Sequence, residues 1–499
     1  MNSYRIEKPF ALVIFGASGD LAKLKLFPAL YSMVEQKRLP KEYYIVGYAR
    51  TKIEKEVFQK EFSDSIKNHF KKHPKDLNEK ILKDLTSRVS YVSGQYNKLE
   101  DFKNLRKYLS KITSNKEITT LAYFSVPPQV FQDIIENLGE TKRHENEDLR
   151  LILEKPFGED TESARELFHF VARYFKEENV YLLDHYLGKG AVQSLLHLRH
   201  SNRLINMMMK GPEVSNIQIT AFEKIGVTTR AGYFDQVGTI KDMVQSHLLQ
   251  ILALITMSIP ITENAASLHR EKYSILSALK FIESKKNIVL GQYESYIEEK
   301  DIPKNSKTET FSAMRLFIDR ESWYKTPIYI RTGKKLHEKH TYVVVELKKF
   351  AFQPKEEEPN RLIFELQPEE RINIRLVNKQ GQTSHYQEIT TSDTLSCTGD
   401  DCLPEHSMLL LDVIRKRRLH FLSFEEIIAT WEITDTILAF IEKSKLKPEK
   451  YVDFSPGPES QDQLTAIDDF KWFDIHGHTG TSKQLPDLTI SLMFPQILF

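Results

Sequence analysis

Residues 10–22 read Phe10-Ala-Leu-Val-Ile-Phe15 and then Gly16-Ala-Ser-Gly19-Asp-Leu-Ala22. The apolar run predicts a strand buried on both faces of a parallel sheet. The two glycines allow a tight turn, and the leucine-rich residues after them predict a helix. Backbone N–H groups at such a turn can approach a pyrophosphate at the helix N-terminus. The stretch therefore predicts the opening of a dinucleotide-binding fold, although glycines in strand-to-helix turns also serve purely structural ends.

The same rhythm continues along the chain. Strands are predicted at 43–47, 89–93, 119–126 and 149–153, and helical patterns separate them. An alternation of strands and helices indicates an α/β domain with a parallel, doubly wound sheet. We therefore expect a Rossmann-like domain over residues 1–180.

The pattern changes in the second part of the chain. A helical block at 235–279 precedes strands at 327–331, 341–347 and 361–366, and helices follow at 408–414 and 424–441. Segregated helices and strands indicate an α+β domain with a mainly antiparallel sheet. We assign this larger domain to residues 181–499, and the composition of 447–487 predicts an extended tail.

Composition narrows the classes of function. The 70 basic and 69 acidic residues give a formal net charge of +1, which disfavours a nucleic-acid or membrane-surface binder. The two cysteines, Cys397 and Cys402, are too few for a disulfide scaffold and have no histidine between them, which disfavours a zinc site. The first ten residues lack a signal pattern, and the apolar segment 248–257 is too short to span a bilayer. These observations predict a cytoplasmic protein without a metal.

The end of the second predicted strand bears on cofactor choice. NAD-selective folds place an Asp or Glu there, whereas this sequence has Arg50 and Lys52 and no acid. Arg50 can make a bidentate contact to an adenosine 2′-phosphate. The pattern favours NADP and leaves use of NAD open, against the alternative that Arg50 is merely a solvated loop residue.

Several further motifs follow along the chain. They are Gly47-Tyr-Ala-Arg50, Glu154-Lys-Pro-Phe-Gly158, Asp184-His-Tyr-Leu-Gly-Lys189, Gly232-Tyr-Phe-Asp235, Lys241-Asp-Met-Val-Gln-Ser-His247, Arg331-Thr-Gly-Lys334 and Leu366-Gln-Pro368. In this order, and together with the first glycine turn, they resemble the glucose-6-phosphate dehydrogenase family over residues 10 to about 440. The hexapeptide from Asp184 to Lys189 is the most specific of them.

The resemblance implies a reaction and its catalytic residues. Glucose 6-phosphate would be oxidised to 6-phosphoglucono-δ-lactone, with hydride transfer to NADP, as the first step of the oxidative pentose phosphate pathway. His247 is implied as the base that accepts the hydroxyl proton, a role suited to a side chain titrating near neutral pH. Asp184 is implied as the partner that orients the imidazole. An α-helical wheel places His247 beside Met243 and Val244, which equally fits a histidine of the core.

The resemblance also implies the remaining site residues. Phosphate would bind to His185, Tyr186 and Lys189, which together offer donors and positive charge. Lys155 would contact both sugar and nicotinamide, with a cis bond to Pro156. Further sugar contacts are implied for Glu223, Asp242, Lys334, Lys339 and Gln367. The cofactor would contact Gly16, Ala17, Ser18, Gly19, Asp20, Leu21, Arg50 and Lys155. For each of these residues alone, an ordinary surface or structural role is the alternative.

Some positions depart from the family pattern, among them Gly190, Ala231 and Ser246. Two alternatives therefore stay open: a dehydrogenase of another hexose 6-phosphate, or a non-catalytic regulator that binds NADP or a sugar phosphate. The basic run 415–418 leaves open a second, structural NADP site. The resemblance implies a homodimer or homotetramer built through the sheet of the second domain.

Overall fold

The computed structural model describes residues 6–72, 77–184, 186–228, 231–262, 264–354, 357–368, 370–380, 383–390 and 402–475. Of the predicted site residues, His185 lies outside these ranges. Cys397 also lies outside them, and no free cysteine is found within them. No helix in the described ranges has the length and hydropathy needed to cross a membrane.

The first sheet is parallel and six-stranded. Its strands are β1 (Phe10–Phe15), β2 (Tyr43–Ala49), β3 (Val89–Ser93), β4 (Thr119–Phe124), β5 (Leu149–Glu154) and β6 (Val180–Leu183). Their order is β3-β2-β1-β4-β5-β6, so the winding direction reverses between β1 and β4. Ligands of doubly wound sheets bind at such a reversal, beyond the carboxyl ends of the strands. The predicted Rossmann-like fold is confirmed.

Helices cover both faces of this sheet. They are α1 (Phe27–Glu35), α2 (Lys55–Lys72), α3 (Glu79–Ser87), α4 (Leu99–Ile112), α5 (Phe131–Glu140) and α6 (Thr161–Tyr174). A π-helical turn, Ala22–Leu26, joins the glycine turn to α1. Every residue of β1 is buried, as the continuous apolar run predicts.

The second sheet is mixed and mostly antiparallel, as predicted. It contains β7 (Val214–Phe222), β8 (Leu279–Lys280), β9 (Ile288–Tyr293), β10 (Phe311–Ile318), β11 (Ile328–Gly333), β12 (His340–Leu347), β13 (Arg361–Gln367), β14 (Arg371–Gln380), β15 (Thr383–Thr390) and β16 (Glu449–Tyr451). The order is β15-β14-β13-β12-β7-β11-β10-β9-β16, and β8 pairs with β10. Within the described ranges, β7–β11 and β9–β16 are its parallel pairs.

The remaining helices are α7 (Gly190–Ser201), α8 (Arg203–Met208), α9 (Ala231–Thr239), α10 (Leu249–Thr256), α11 (Ala265–Leu276), α12 (Glu405–Ile414), α13 (Phe424–Lys443) and α14 (Asp462–Ala466). A π-helical segment, Ile240–Leu248, connects α9 to α10. Although α12 follows β15 of the second sheet in the chain, it packs against α1 of the first domain, and the Ser407 hydroxyl donates to the Ala29 carbonyl.

The prediction of an extended tail is wrong for the part of 447–487 that the structure describes. Tyr451 and Phe473 are buried, and the Arg331 guanidinium donates to Gln461 Oε1 at 3.1 Å and to the Phe473 carbonyl at 3.4 Å. Polar and aromatic residues here dock onto the second sheet, so the prevalence of Pro, Gly and Asp reflects turns rather than a detached chain.

Candidate active site

Asp184 and His247 form a buried pair at the carboxyl edge of the first sheet. Asp184 directly follows β6 and is 0% exposed, and His247 is 2% exposed. His247 Nδ1 lies 2.6 Å from Asp184 Oδ1, which also accepts the backbone N–H of Tyr186 at 2.9 Å. An ionised carboxylate only accepts hydrogen bonds, so the proton between them belongs to Nδ1. This tautomer leaves Nε2 as the basic nitrogen.

His247 lies in the π-helical segment Ile240–Leu248. The i→i+5 hydrogen-bonding pattern of such a segment brings residues five apart to neighbouring positions, and these segments are frequent at functional sites. Asp242 and His247, five residues apart, consequently share one face. Met243 and Val244, which an α-helical wheel groups with His247, are buried.

The surroundings of His247 keep it neutral. Burial lowers the pKa of its imidazole, and the ammonium of Lys155 lowers it further, while Asp184 acts in the opposite direction. The net result is a pKa below the usual value for histidine. A neutral imidazole at physiological pH is the form that can accept a proton.

Lys155 follows β5 and meets His247 from the other side. Its Nζ donates to Ser246 Oγ at 2.9 Å and to the Asp242 carbonyl at 3.2 Å, and lies 2.6 Å from His247 Nε2. The Lys155–Pro156 peptide bond is cis, as predicted. The Lys155 ammonium is therefore the hydrogen-bond partner of His247 Nε2, the nitrogen predicted to accept the substrate proton.

The aromatic ring of Tyr186 links the pair to Lys189. The ring stacks on the His247 imidazole with centroids 4.1 Å apart, and Lys189 Nζ lies 3.4 Å from its centroid. Burial lowers the pKa of Lys189 to about 8, against the stabilising charge of Glu405. Two of the three predicted phosphate ligands therefore converge beside the base, and His185 lies outside the described residues.

Lys334 joins two predicted sugar-binding acids. Its Nζ donates to Glu223 Oε2 at 2.5 Å and lies 3.3 Å from Asp242 Oδ2. Burial acts to lower the pKa of Lys334, but Glu223 and Asp242 outweigh it and raise that pKa. Burial likewise acts to raise the pKa of Asp242, yet Lys334 and Lys155 hold it below its ordinary value.

Two predicted sugar contacts are not drawn into this network. Lys339 is exposed and makes no hydrogen bond or ion pair within the described ranges, although its charge helps to lower the pKa of Lys189. Gln367 ends β13 opposite Thr341 of β12, and its side chain is partly exposed.

The predicted cofactor turn has the shape its glycines suggest. Gly16 has a φ of +80°, and a Cβ there would lie 2.1 Å from the Ser125 carbonyl oxygen. Its N–H donates to the Tyr48 carbonyl at 2.8 Å, and the Gly19 N–H donates to the Gly16 carbonyl at 2.9 Å. Ala17 is buried, whereas Ser18, Asp20 and Leu21 are at least partly exposed around the turn.

Arg50 directly follows β2 and is exposed, with its Cζ 5.6 Å from the Tyr96 ring centroid. The turn and Arg50 thus lie beyond the carboxyl ends of neighbouring strands. By contrast, the basic run 415–418 is engaged with acids: Arg418 lies 3.4 Å from Glu177, and Lys416 lies 3.9 Å from Glu178.

The sequence analysis missed two acids at this site. Glu405, at the start of α12, lies more than 200 positions from Lys189 in the sequence, and its charge acts to raise the pKa of that lysine. No local sequence pattern predicts such a neighbour. Glu309 contacts the start of the His247 segment, where the only local signal is the glycine at 238.

Comparisons with known proteins show which family the chain resembles. The family described as glucose-6-phosphate dehydrogenase, NAD binding domain, matches residues 13–194, and the corresponding C-terminal domain matches residues 196–473. Glucose-6-phosphate 1-dehydrogenase of Schizosaccharomyces pombe is 37% identical over 470 residues, covering 91% of this chain and 93% of that protein. The Aspergillus niger protein of the same name is 34% identical over 500 residues, covering 97% of each.

Solved structures give the same result. A glucose-6-phosphate 1-dehydrogenase from Mycobacterium avium superposes with a TM-score of 0.81 at 29% identity, covering 93% of this chain and 98% of that one. A glucose-6-phosphate dehydrogenase in complex with its substrate glucose 6-phosphate gives a TM-score of 0.86 at 29% identity, with coverage of 94% and 99%.

Proposed function

This chain belongs to the glucose-6-phosphate dehydrogenase family, and from that premise we propose that it oxidises glucose 6-phosphate to 6-phosphoglucono-δ-lactone with NADP as the hydride acceptor. The reaction is the first step of the oxidative pentose phosphate pathway. The observation that carries the proposal is the buried His247–Asp184 pair, 2.6 Å apart, with Lys155 and Lys189 beside it. A protein that only binds a sugar phosphate has no need of an oriented, neutral base.

His247 acts on the anomeric hydroxyl. Oxidation of a hemiacetal removes hydride from the anomeric carbon and a proton from its oxygen. His247 Nε2 accepts that proton, while Nδ1–H stays hydrogen-bonded to Asp184 Oδ1. The carboxylate then faces an imidazolium, which it stabilises without itself becoming protonated.

Lys155 must give way for this step to occur. The substrate hydroxyl replaces the ammonium as the partner of Nε2, because one lone pair cannot accept both hydrogen bonds. Ser246 Oγ and the Asp242 carbonyl, at 2.9 Å and 3.2 Å from Nζ, keep Lys155 next to the reacting atoms. Its charge also holds the pKa of His247 down until the substrate enters.

Different groups would bind the two ends of the sugar phosphate. Lys189 and Tyr186 would present an ammonium and a phenol to the phosphate, and the family resemblance assigns the same role to His185. Glu223 and Asp242 accept hydrogen bonds from sugar hydroxyls. Lys334 contacts both acids and helps to hold the pKa of Asp242 below its ordinary value. Lys339 and Gln367 would lie at the rim of this site.

The residues of the predicted cofactor site fit NADP. The turn from Gly16 to Leu21 lies at a helix N-terminus, where a pyrophosphate would be stabilised. A side chain at position 16 would clash with the carbonyl oxygen of Ser125, so the turn requires glycine there. Arg50 would hold the 2′-phosphate, and Lys155 would reach the nicotinamide. When bound, NADP supplies the carbon that accepts the hydride.

We also propose that the protein is cytoplasmic and forms a homodimer or homotetramer through the second sheet, with a domain boundary near residue 180. Static light scattering of the purified chain measures the oligomer directly. A monomer at micromolar concentration would contradict this part.

The activity is tested by NADPH absorbance with purified protein, NADP and either glucose 6-phosphate or free glucose. We expect reduction with the phosphate ester and at least ~100-fold lower kcat/KM with glucose, because Lys189 loses its partner. Binding of NADP without its reduction by any hexose 6-phosphate would contradict the proposal and favour a regulator.

A further inference from the structure

The helical stretch that carries His247 begins just after a residue with non-helical backbone angles. We call residues 240–256 the catalytic helix: they comprise the π-helical segment Ile240–Leu248 and α10. Just before it, Gly238 adopts φ 70° and ψ 173°, which no helix allows. The first N–H groups of a helix have no acceptor within it. Thr239 gives no side-chain cap to this end, so an acceptor must come from elsewhere.

Glu309, two residues before β10, supplies that acceptor. Its Oε1 accepts the N–H of Ile240 at 3.1 Å, and its backbone carbonyl accepts both the N–H and the hydroxyl of Thr239, at 3.2 Å and 3.1 Å. A carboxylate is also favoured by the dipole at a helix N-terminus. A Cβ at position 238 would lie 2.4 Å from Glu309 Oε1. The glycine and the acid therefore fit together as one cap.

The next residue connects this cap to the sugar-binding lysine. The Thr310 carbonyl accepts the backbone N–H of Lys334 at 2.9 Å, and Thr310 is 0% exposed. Its hydroxyl lies 2.9 Å from that of Tyr451. Residues 309 and 310 consequently hold the start of the catalytic helix on one side and the backbone of Lys334 on the other.

We propose that Glu309 is a positioning residue that sets the start of the catalytic helix, so that Asp242 faces Lys334 and the sugar hydroxyls. The inference rests on the proposed function for its substrate. Asp242 lies in the first turn after the cap, 3.3 Å from Lys334. Burial raises the pKa of Glu309 to about 7, as expected of a carboxyl group that is removed from water and bonded to backbone groups at the helix end.

The base has two contacts that do not involve Glu309. Asp184 and Lys155 both contact His247, at 2.6 Å each. Loss of the cap should therefore disturb Asp242 more than His247. The effect then falls on the KM for the sugar phosphate and less on kcat, which separates a positioning role from a general loss of structure.

The test compares Glu309→Ala with Glu309→Gln, whose amide oxygen can still accept the Ile240 N–H. In steady-state assays we expect a rise of ~10-fold or more in the KM for glucose 6-phosphate with Glu309→Ala, and the KM for NADP within ~2-fold of wild type. Glu309→Gln should stay within ~3-fold in both. Glu294→Ala, which removes an exposed carboxylate nearby, is the matched control and should match wild type.

Hydrogen exchange of the peptide 239–248 gives a readout that needs no activity. Exchange there should be ~5-fold faster or more in Glu309→Ala and near wild type in Glu309→Gln. If the alanine variant does not fold, Glu309→Asp, too short to reach Ile240, replaces it with the same expectation. Equal impairment by alanine and glutamine, equal rises in both KM values, or unchanged exchange would overturn the role of Glu309. Lack of NADP reduction by wild type would instead count against the proposed function, and the exchange data would still decide the cap.

Discussion

Asp184 Oδ1 lies 2.6 Å from His247 Nδ1, and both side chains are enclosed by protein. The carboxylate fixes the tautomer of the imidazole and points Nε2 toward Lys155. A buried carboxylate in this position stabilises the charged imidazole that proton transfer creates. The pair is therefore the feature on which the proposed chemistry depends.

Replacing Asp184 by Asn should lower kcat by ~10²- to 10⁴-fold, because the amide no longer fixes the tautomer or stabilises the imidazolium. The KM for glucose 6-phosphate should change by less than ~5-fold, since Asp184 does not face the sugar. Steady-state kinetics measure both. Asp319→Asn, at an exposed position, is the control, and equal rates for the two variants would refute the pair.

Lys189→Met should raise the KM for glucose 6-phosphate by ~100-fold or more, because the phosphate dianion loses its buried cation. Lys339→Met should raise it by less than ~3-fold, because that side chain is exposed. The same assays with both variants compare the two lysines directly. A larger rise in KM for Lys339→Met than for Lys189→Met would contradict the role of Lys189 and place the phosphate site next to Lys339, just before β12.

Arg50→Ala should lower kcat/KM for NADP by ~10- to 100-fold and leave kcat/KM for NAD nearly unchanged, because only NADP carries the 2′-phosphate. Lys52→Ala, two residues further on, is the matched control. The ratio of the two cofactor efficiencies is the measured quantity. Equal losses with both cofactors would show that Arg50 serves the fold rather than the 2′-phosphate.

The pH profile of kcat/KM should have two limbs. The acidic limb reports protonation of His247, and burial places its pKa below the ordinary value of 6.5, so activity should persist below pH 6.5. The alkaline limb should lie near pH 8, where Lys189 loses its proton and its charge. Lys189→Met should remove the alkaline limb and keep the acidic one. An acidic limb above pH 6.5 would contradict the assigned base environment.

Local pattern predicted five of the six strands of the first sheet, and β6 was missed. The run from Phe10 to Phe15 is a continuous apolar stretch bounded by turns, and the predicted strand 149–153 is apolar apart from Arg150, so each indicates a buried strand by itself. In the second domain, the strands β7 to β10 and β14 to β16 were not predicted. The partners of β7, for example, are β11 and β12, which lie more than 100 positions further along the chain. Register there depends on tertiary packing rather than on local spacing.

The site could be predicted only through the family resemblance. Asp184 and His247 are 63 residues apart, and no spacing rule brings them together. The π-helical geometry that places Asp242 beside His247 has no clear sequence signal, and an α-helical wheel groups His247 with core residues instead. Glu309 was missed because its role depends on the backbone at Gly238.

The most direct test of the central claim is the turnover of His247→Asn, followed by NADPH absorbance with saturating NADP and glucose 6-phosphate. The account predicts rapid reduction of NADP by wild type and a kcat lower by ~10³-fold or more in the variant, with binding of both ligands retained by calorimetry. His144→Asn, at an exposed histidine, should match wild type. A His247→Asn enzyme that turns over like wild type would contradict the assignment of the base.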